Sequence, residues 1–475
     1  MKDLNRTPKD GTYDLIVIGA GSAGFSASIA AAEAGKRVAL VGHGTIGGTC
    51  VNVGCVPSKA MIRAAEAVHA ASAAGRFPGV APCAARVDWP ALVSGTAELV
   101  AAMRQKKYSD LLPQYETVDH IDEGPARLVE GGVEVGGRRM TAERIIVATG
   151  SRPHMPDISG LGAVDVLDST GLLTLPERPD SVIVLGGGYI GAELAQMASR
   201  LGVRVTLVTR SRLLPGAEPE VGEALTQAMR AEGIRVETGL SYREVAAHDG
   251  GVALTIERGG KPVTLTATRL VATAGRVANT DGLGLEALGI RTDRRRAIVV
   301  GPDMATTRPG IYAAGDVTDR DQFVYMAAYG AKVAVNNAFG LEPMRYDNAA
   351  MPWVVFTDPQ VAGVGLSEVQ AGAAGHEVKT SVLALDNVAR ALAARDTRGL
   401  IKLVADARTD RLLGGQIVAP EGADTIQTLA MALKAGMTTK ALGETLFPYL
   451  TTVEGLKLAA QTFDKDVARL SCCAG

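Results

Sequence analysis

The chain has 475 residues, 47% of them hydrophobic, enough for roughly two to four cored domains and too apolar for disorder. Its formal charge of -2, with no basic block, excludes a surface built for nucleic acid or anionic membrane. The 56 glycines and 21 prolines predict many tight turns, as when short strands alternate with helices, and the 4% aromatic share predicts cores of Ala, Val and Leu.

The first residues, MKDLNRTPKDGTYD, lack a basic segment followed by an apolar run and a cleavage site, so export is not expected. Leu15 to Ala32 carries no charge over eighteen residues, just reaching transmembrane length. Glycines at 19, 21 and 24 argue instead for a buried strand, turn and helix, without stable membrane insertion. Five cysteines, at 50, 55, 83, 472 and 473, form an odd set spaced for chemistry rather than for a secreted framework. A reducing, cytoplasmic setting is expected.

YDLIVIGAGSAGFSASIAAAEAGKRVALV reads as strand, helix and strand, with Gly19, Gly21 and Gly24 forming G-x-G-x-x-G and Gly35 stopping the helix. Such glycines let a pyrophosphate approach the backbone at a helix N-terminus, which favours its charge. An acid normally ends the second strand to bind the adenosine ribose. Here the chain reads VALVGHG, with Gly42 and His43 in that region, so the ribose is expected to be held less conventionally or less tightly.

GGTCVNVGCVPSK follows, placing Cys50 and Cys55 five residues apart, within disulfide reach if the segment is helical. No second pair lies near enough for a structural zinc site. Flanking glycines and Lys59, whose charge can stabilise a thiolate, favour an exchanging dithiol over two inert thiols. Cys83, in APCAAR, has no evident partner and reads as incidental; Met103 and Met326 read as core filler.

ERIIVATGSRP is a strand ending at Gly150, and Pro176 and Pro179 mark the approach to a second fingerprint. DSVIVLGGGYIGAELAQMASRLGVRVTLVTRSR carries Gly186, Gly188 and Gly191, and its second strand ends in Thr209, Arg210, Ser211 and Arg212. An acid there would bind the 2′-hydroxyl of NAD and repel a phosphate; two arginines do the reverse and predict NADPH. The alternative is that both are solvated loop cations. Two such folds imply two dinucleotides, and a hydride from NADPH calls for an acceptor such as FAD. ATRLVATAGRVANT and RPGIYAAGDV are further strands, the latter setting Asp316 where it could bind a ribityl hydroxyl. IKLVADARTDRLLGGQIVAP predicts a hairpin and ADTIQTLAMALKAG a helix after it.

From Tyr13 to Phe463 the chain resembles the pyridine nucleotide–disulfide oxidoreductases, through GAGSAG, GGTCVNVGCVPSK, GGGYIGAE, ATAGR, GIYAAGD, FTDPQVAGVGLSE and FPYLTTVEG. The resemblance implies an α/β fold of the glutathione-reductase type: two Rossmann-like dinucleotide-binding domains, then a mixed α/β dimerisation domain. The expected bounds are 1–150 for the first part of the FAD domain, 151–276 for the NADPH domain, 277–345 for the return to the FAD domain, and 346–475 for the interface of a homodimer. Cofactor contacts are expected at Gly19, Gly21, Gly24, Gly48, Thr49, Lys59, Gly150, Gly315 and Asp316, and at Gly186, Gly188, Gly191, Arg210, Arg212, Gly275 and Arg276. By the same resemblance Cys55 is the thiol against the flavin and Cys50 the interchange thiol. Lys59 and Glu193 form an ion pair beside the flavin, and Tyr189 covers the nicotinamide pocket and moves when NADPH binds.

Disulfide reductases of this family usually close with His-Pro-Thr…Glu, the His moving protons for thiol exchange. Here FPYLTTVEGLK puts Tyr449 at the His position and Leu450 at the Pro, and keeps Glu454; the six histidines include none after 376. A phenol with a pKa of about 10 is a poor base at neutral pH. Holding a soft metal ion between thiolates needs no such base. With the terminal SCCAG, the segment is similar to the branch of the family that reduces Hg²⁺. That likeness implies that Cys472 and Cys473 of one subunit take Hg²⁺ from thiol complexes and pass it to Cys50 and Cys55 of the other, with Tyr449 and Tyr189 lining the transfer site. Many such proteins add an N-terminal metal-binding domain with C-x-x-C; the chain has no C-x-x-C, so a short form or catalytic core is expected. Two readings stay open. One is a glutathione- or dihydrolipoamide-type disulfide reductase, which leaves SCCAG unexplained. The other is a flavoprotein that binds metal without turnover, which would not need both fingerprints.

Overall fold

In the computed structural model, which describes residues 12–469, the uncharged stretch from Leu15 folds as β1 (Thr12–Ile18), a tight turn and α1 (Ser22–Glu33). Glycine in the turn breaks the run before it can become one long apolar helix. Among the described residues no helix is long and apolar enough to cross a membrane.

By contacts the chain forms two units. One holds the residues up to Ala60 together with Ala91–His154 and Gly275–Asp347; the other holds Met61–Pro90, Met155–Ala274 and the residues from Asn348. The first unit is built on a sheet in which β1 pairs in parallel with β2 (Val38–Val41) on one side and the Arg138–Val147 strand on the other. β3 (Val118–Ile121) extends it beyond β2, and the Ile311–Ala313 strand joins the Arg138–Val147 strand, all parallel. Leu15, Ile16 and Val17 are fully buried, so β1 is covered on both faces, as a near-continuous apolar run in a parallel sheet should be. Each such side chain removed from water contributes about 1.5–3 kcal/mol. A short helix, α2 (Gly48–Asn52), follows β2 and leads to a longer one, α3 (Cys55–Ser72).

The second unit repeats the parallel pattern. Its strands run in the order Arg235–Glu237, Arg204–Val208, Ser181–Leu185, Arg269–Ala272 and Val166–Leu167, with the Tyr189–Arg200 helix after Ser181–Leu185. An antiparallel three-stranded sheet lies between Ser241 and Ala267. The residues from Asn348 add a five-stranded antiparallel sheet that includes the expected hairpin, Leu400–Asp406 against Leu412–Ala419, and the Gly422–Lys434 helix after it. Charged groups tie this sheet to the dinucleotide fold. Arg200 bonds Glu232 and pairs with Asp358 at 2.9 Å, and Lys402, only 1% exposed, sits among Glu218, Glu220 and Glu368. Removing one partner would strand a buried charge, so these groups fix register as well as packing.

Candidate active site

The two G-x-G-x-x-G turns have one geometry. Gly19 and Gly186 both sit at φ +118, and a Cβ at Gly24 or Gly191 would lie 1.7 or 1.9 Å from the carbonyl oxygen of the first glycine of its own motif. No side chain fits at either place. Each motif caps its helix at the middle glycine, Gly21 or Gly188, and nothing lies within 4 Å of where a Gly188 side chain would begin. That room, at a helix N-terminus, suits a pyrophosphate. In the first unit Gly48 packs on Gly21, where a Cβ would come within 2.6 Å of the Gly21 Cα. The start of α2, which carries Cys50, therefore lies against the phosphate turn.

Cys50 lies in α2 and Cys55 is the first residue of α3. The loop between is tied down by Asn52, whose amide donates to the Ile46 and Gly48 carbonyls and accepts from Arg104 at 2.9 Å. Cys50, Cys55 and Cys83 are all thiols. The Cys50 thiol is pushed well above its ordinary range, first by its hydrogen bond to Cys55, then by burial and by negative charge on Cys55. Cys55 stands at the N-terminus of α3, a place that favours a thiolate. Lys59, one turn along α3, counters the rise at Cys50. Tyr108, which sequence reasoning missed, covers this loop. Its ring stands edge-on to Phe25 at 4.7 Å, and its own ionisation is suppressed by burial and by both thiols. Cys83 is exposed.

Asp316 follows the Ile311–Ala313 strand, and its Oδ2 accepts from Ser151 Oγ at 2.8 Å. Arg276 donates from Nε to the same hydroxyl at 2.7 Å and from Nη2 to the Ser151 carbonyl at 2.7 Å. The pairing of Ser151–Pro153 with Arg276–Ala278 brings these groups together just beyond Gly150 and Gly275. Ser151 carried no sequence signal because its partner lies 165 residues away.

In the second unit Thr209, buried, takes the place of the ribose-binding acid. Arg212 donates to four carbonyls of its own loop, those of Leu214, Pro215, Ala217 and Glu218. Arg210 is exposed. The two arginines are therefore not equivalent: Arg212 clamps the loop that Arg210 precedes. Tyr189 is the first residue of its helix, and burial pushes its phenol up to about 12. Its ring stacks on Trp353, a second residue the sequence did not single out. Glu193, one turn on and 6% exposed, accepts from the Phe356 backbone N–H at 2.9 Å. Lys59 belongs to the first unit and Glu193 to the second.

Tyr449 is 53% exposed. Leu450 after it has φ 62, and its N–H donates to Glu454 Oε2 at 3.2 Å. The retained Glu thus holds the backbone beside the phenol. Cys472 and Cys473 lie outside the described residues. Among the described residues no group of three or more His, Cys, Asp or Glu is placed to hold a metal ion.

Residues 13–337 match the family described as pyridine nucleotide-disulphide oxidoreductase, and 351–460 match its dimerisation domain. The chain belongs to this family of NADPH- and FAD-dependent enzymes, and the dimerisation domain marks it as a homodimer-forming member. It is 43% identical over 474 residues to the mercuric reductase of Staphylococcus aureus, covering 100% of this chain and 86% of that protein. It is 44% identical to the mercuric reductase of Streptomyces lividans, covering 98% of each. Among solved structures it is similar to a Cu(II) complex of the HOCl-induced flavoprotein disulfide reductase RclA from Escherichia coli. That likeness has a TM-score of 0.83 at 28% identity, over 95% of this chain and 99% of the other. LpdA from Mycobacterium tuberculosis gives 0.83 at 27%, over 95% and 100%.

Proposed function

We propose that this enzyme reduces Hg²⁺ to elemental mercury with electrons from NADPH, the ion arriving as a thiol complex. The conversion balances as Hg(SR)₂ + NADPH + H⁺ → Hg⁰ + NADP⁺ + 2 RSH. FAD, when bound, relays the electron pair between the hydride donor and the metal side. The protein's part is to hold the reactants. Cys55 offers a thiolate at a helix end and Cys50 the second sulfur, a soft pair suited to a soft ion. Lys59 and Glu193 set charge near the flavin, Tyr189 gates the nicotinamide, and Gly275, Arg276 and Asp316 line the cofactor channels. Cys472 and Cys473 of the partner subunit exchange thiolates with the incoming complex and hand the ion on, past the partner's Tyr449. Supplies of NADPH and reduced thiol suit this work to the cytoplasm.

The observation that carries this reading is Tyr449. The C-terminal segment presents an exposed phenol, with Glu454 spent on backbone, where disulfide exchange wants an imidazole. Purified protein should oxidise NADPH and release mercury vapour when given Hg²⁺ with excess small thiol. It should turn over glutathione disulfide and lipoamide poorly. Tyr449→His should raise disulfide turnover modestly and lower Hg²⁺ reduction. Robust glutathione disulfide reduction by the unmodified protein would defeat the proposal in favour of a disulfide reductase.

A further inference from the structure

Position 42 directly follows β2, where a dinucleotide fold ordinarily supplies a carboxylate to the adenosine ribose. Here it is a buried glycine, and the surrounding atoms leave no choice. A Cβ built on Gly42 would lie 2.9 Å from His120 Nε2 and 2.6 Å from Ala20 Cβ. The imidazole of the neighbouring strand occupies the place that a side chain at position 42 would take.

The register explains how it arrives there. β2 and β3 pair Leu40 with His120 and Val41 with Ile121, and the Gly42 N–H donates to the Ile121 carbonyl at 3.0 Å. Side chains alternate along a strand, so positions 40, 42 and 120 share one face. Asp119 points the other way and is engaged with the Tyr13 hydroxyl at 3.2 Å. Ala20 lies between Gly19 and Gly21, so the ring stands between the phosphate turn and the carboxyl end of β2. His43, next in sequence, is exposed. Burial pushes the His120 imidazole below its usual range, with Asp122 opposing, so the ring is neutral near pH 7. A neutral ring nitrogen can accept from or donate to a hydroxyl, and a ribose diol offers both roles.

We propose that His120 Nε2 binds a ribose hydroxyl of the adenosine half of FAD, replacing the acid absent from position 42. Flavin-free full-length protein should be titrated with FAD and, separately, with FMN, following flavin fluorescence. His120→Ala should weaken FAD by about 3- to 10-fold, the worth of one such hydrogen bond, and leave FMN unchanged, since FMN has no adenosine. His120→Gln, which keeps a polar end, should lose less. Gly42→Glu should weaken FAD, because a side chain there would collide with both the ring and Ala20. Unchanged FAD affinity in His120→Ala, an equal loss for FMN, or the same FAD-specific loss in His43→Ala would overturn the proposal.

Discussion

The Tyr189 ring stacks on that of Trp353, with centroids 5.4 Å apart and an interplanar angle of 21°. Trp353 is in turn seated over its cross-strand partner Gly363, where a Cβ would come within 2.4 Å of the indole. A sheet strand thereby steadies the residue proposed to gate the nicotinamide. Such a stack contributes about 0.5–1.5 kcal/mol beyond area burial. If the phenol must swing aside to admit NADPH, removing the stack should ease the swing. Trp353→Ala is expected to tighten apparent NADPH binding by about 2- to 10-fold, read by rapid-mixing titration. Weaker binding, with flavin content unchanged, would show that Trp353 forms part of the nicotinamide site instead.

The arginines after the Arg204–Val208 strand should separate on substitution. Arg210→Ala should erode the preference for NADPH over NADH in steady-state kinetics and leave the melting temperature alone. Arg212 holds four carbonyls of a loop in which buried Leu214 adopts φ 47, so Arg212→Ala should cost about 1–3 kcal/mol of stability as well. Equal catalytic efficiency with the two nucleotides in the unmodified enzyme would sink this assignment.

Alkali should find the buried phenols of the second unit. Burial pushes Tyr189 and Tyr242 up to about 12, whereas unfolded tyrosine releases its proton near about 10. The folded state keeps those protons longer, so stability from this source is complete below about pH 10 and is lost as pH rises towards 12. Each group can contribute roughly 2–3 kcal/mol to that loss. Urea midpoints from pH 9 to 11.5 should therefore fall faster for the wild type than for Tyr189→Phe/Tyr242→Phe. Parallel curves would contradict it.

What the sequence made legible was local. Both fingerprints could be read because each requires glycines within a few residues, where one turn packs its third glycine on the carbonyl of its first. Cys50 and Cys55 were readable for the same reason. Ser151, Trp353 and His120 were not, since each meets its partner through strand pairing or across a long stretch of chain: Ser151 reaches Asp316, and His120 fills the space at Gly42 from another strand. Arg212 shows the opposite difficulty. A cation clamping nearby carbonyls and a cation awaiting a phosphate have the same letter and the same neighbours.

The terminal thiols give the sharpest test of how the metal is delivered. If Cys472 and Cys473 hand over Hg²⁺, changing both to Ala should leave FAD binding and the Cys50–Cys55 couple intact, because Cys50 and Cys55 both belong to the first unit. Turnover of Hg²⁺ presented as a bulky dithiol complex should slow, since the arm must first exchange thiolates with the carrier. Small ligands such as halide can bypass the arm, so the defect should depend on the carrier. The direction of delivery can be read from heterodimers carrying C50A/C55A on one subunit and C472A/C473A on the other. Delivery across the interface leaves one complete site per dimer, and dithiol-complex turnover should persist at about half the wild-type rate. Delivery within a subunit leaves no complete site, so loss of all such turnover in verified heterodimers would refute the crossing. Unchanged turnover in the C472A/C473A homodimer would remove the tail from the mechanism altogether.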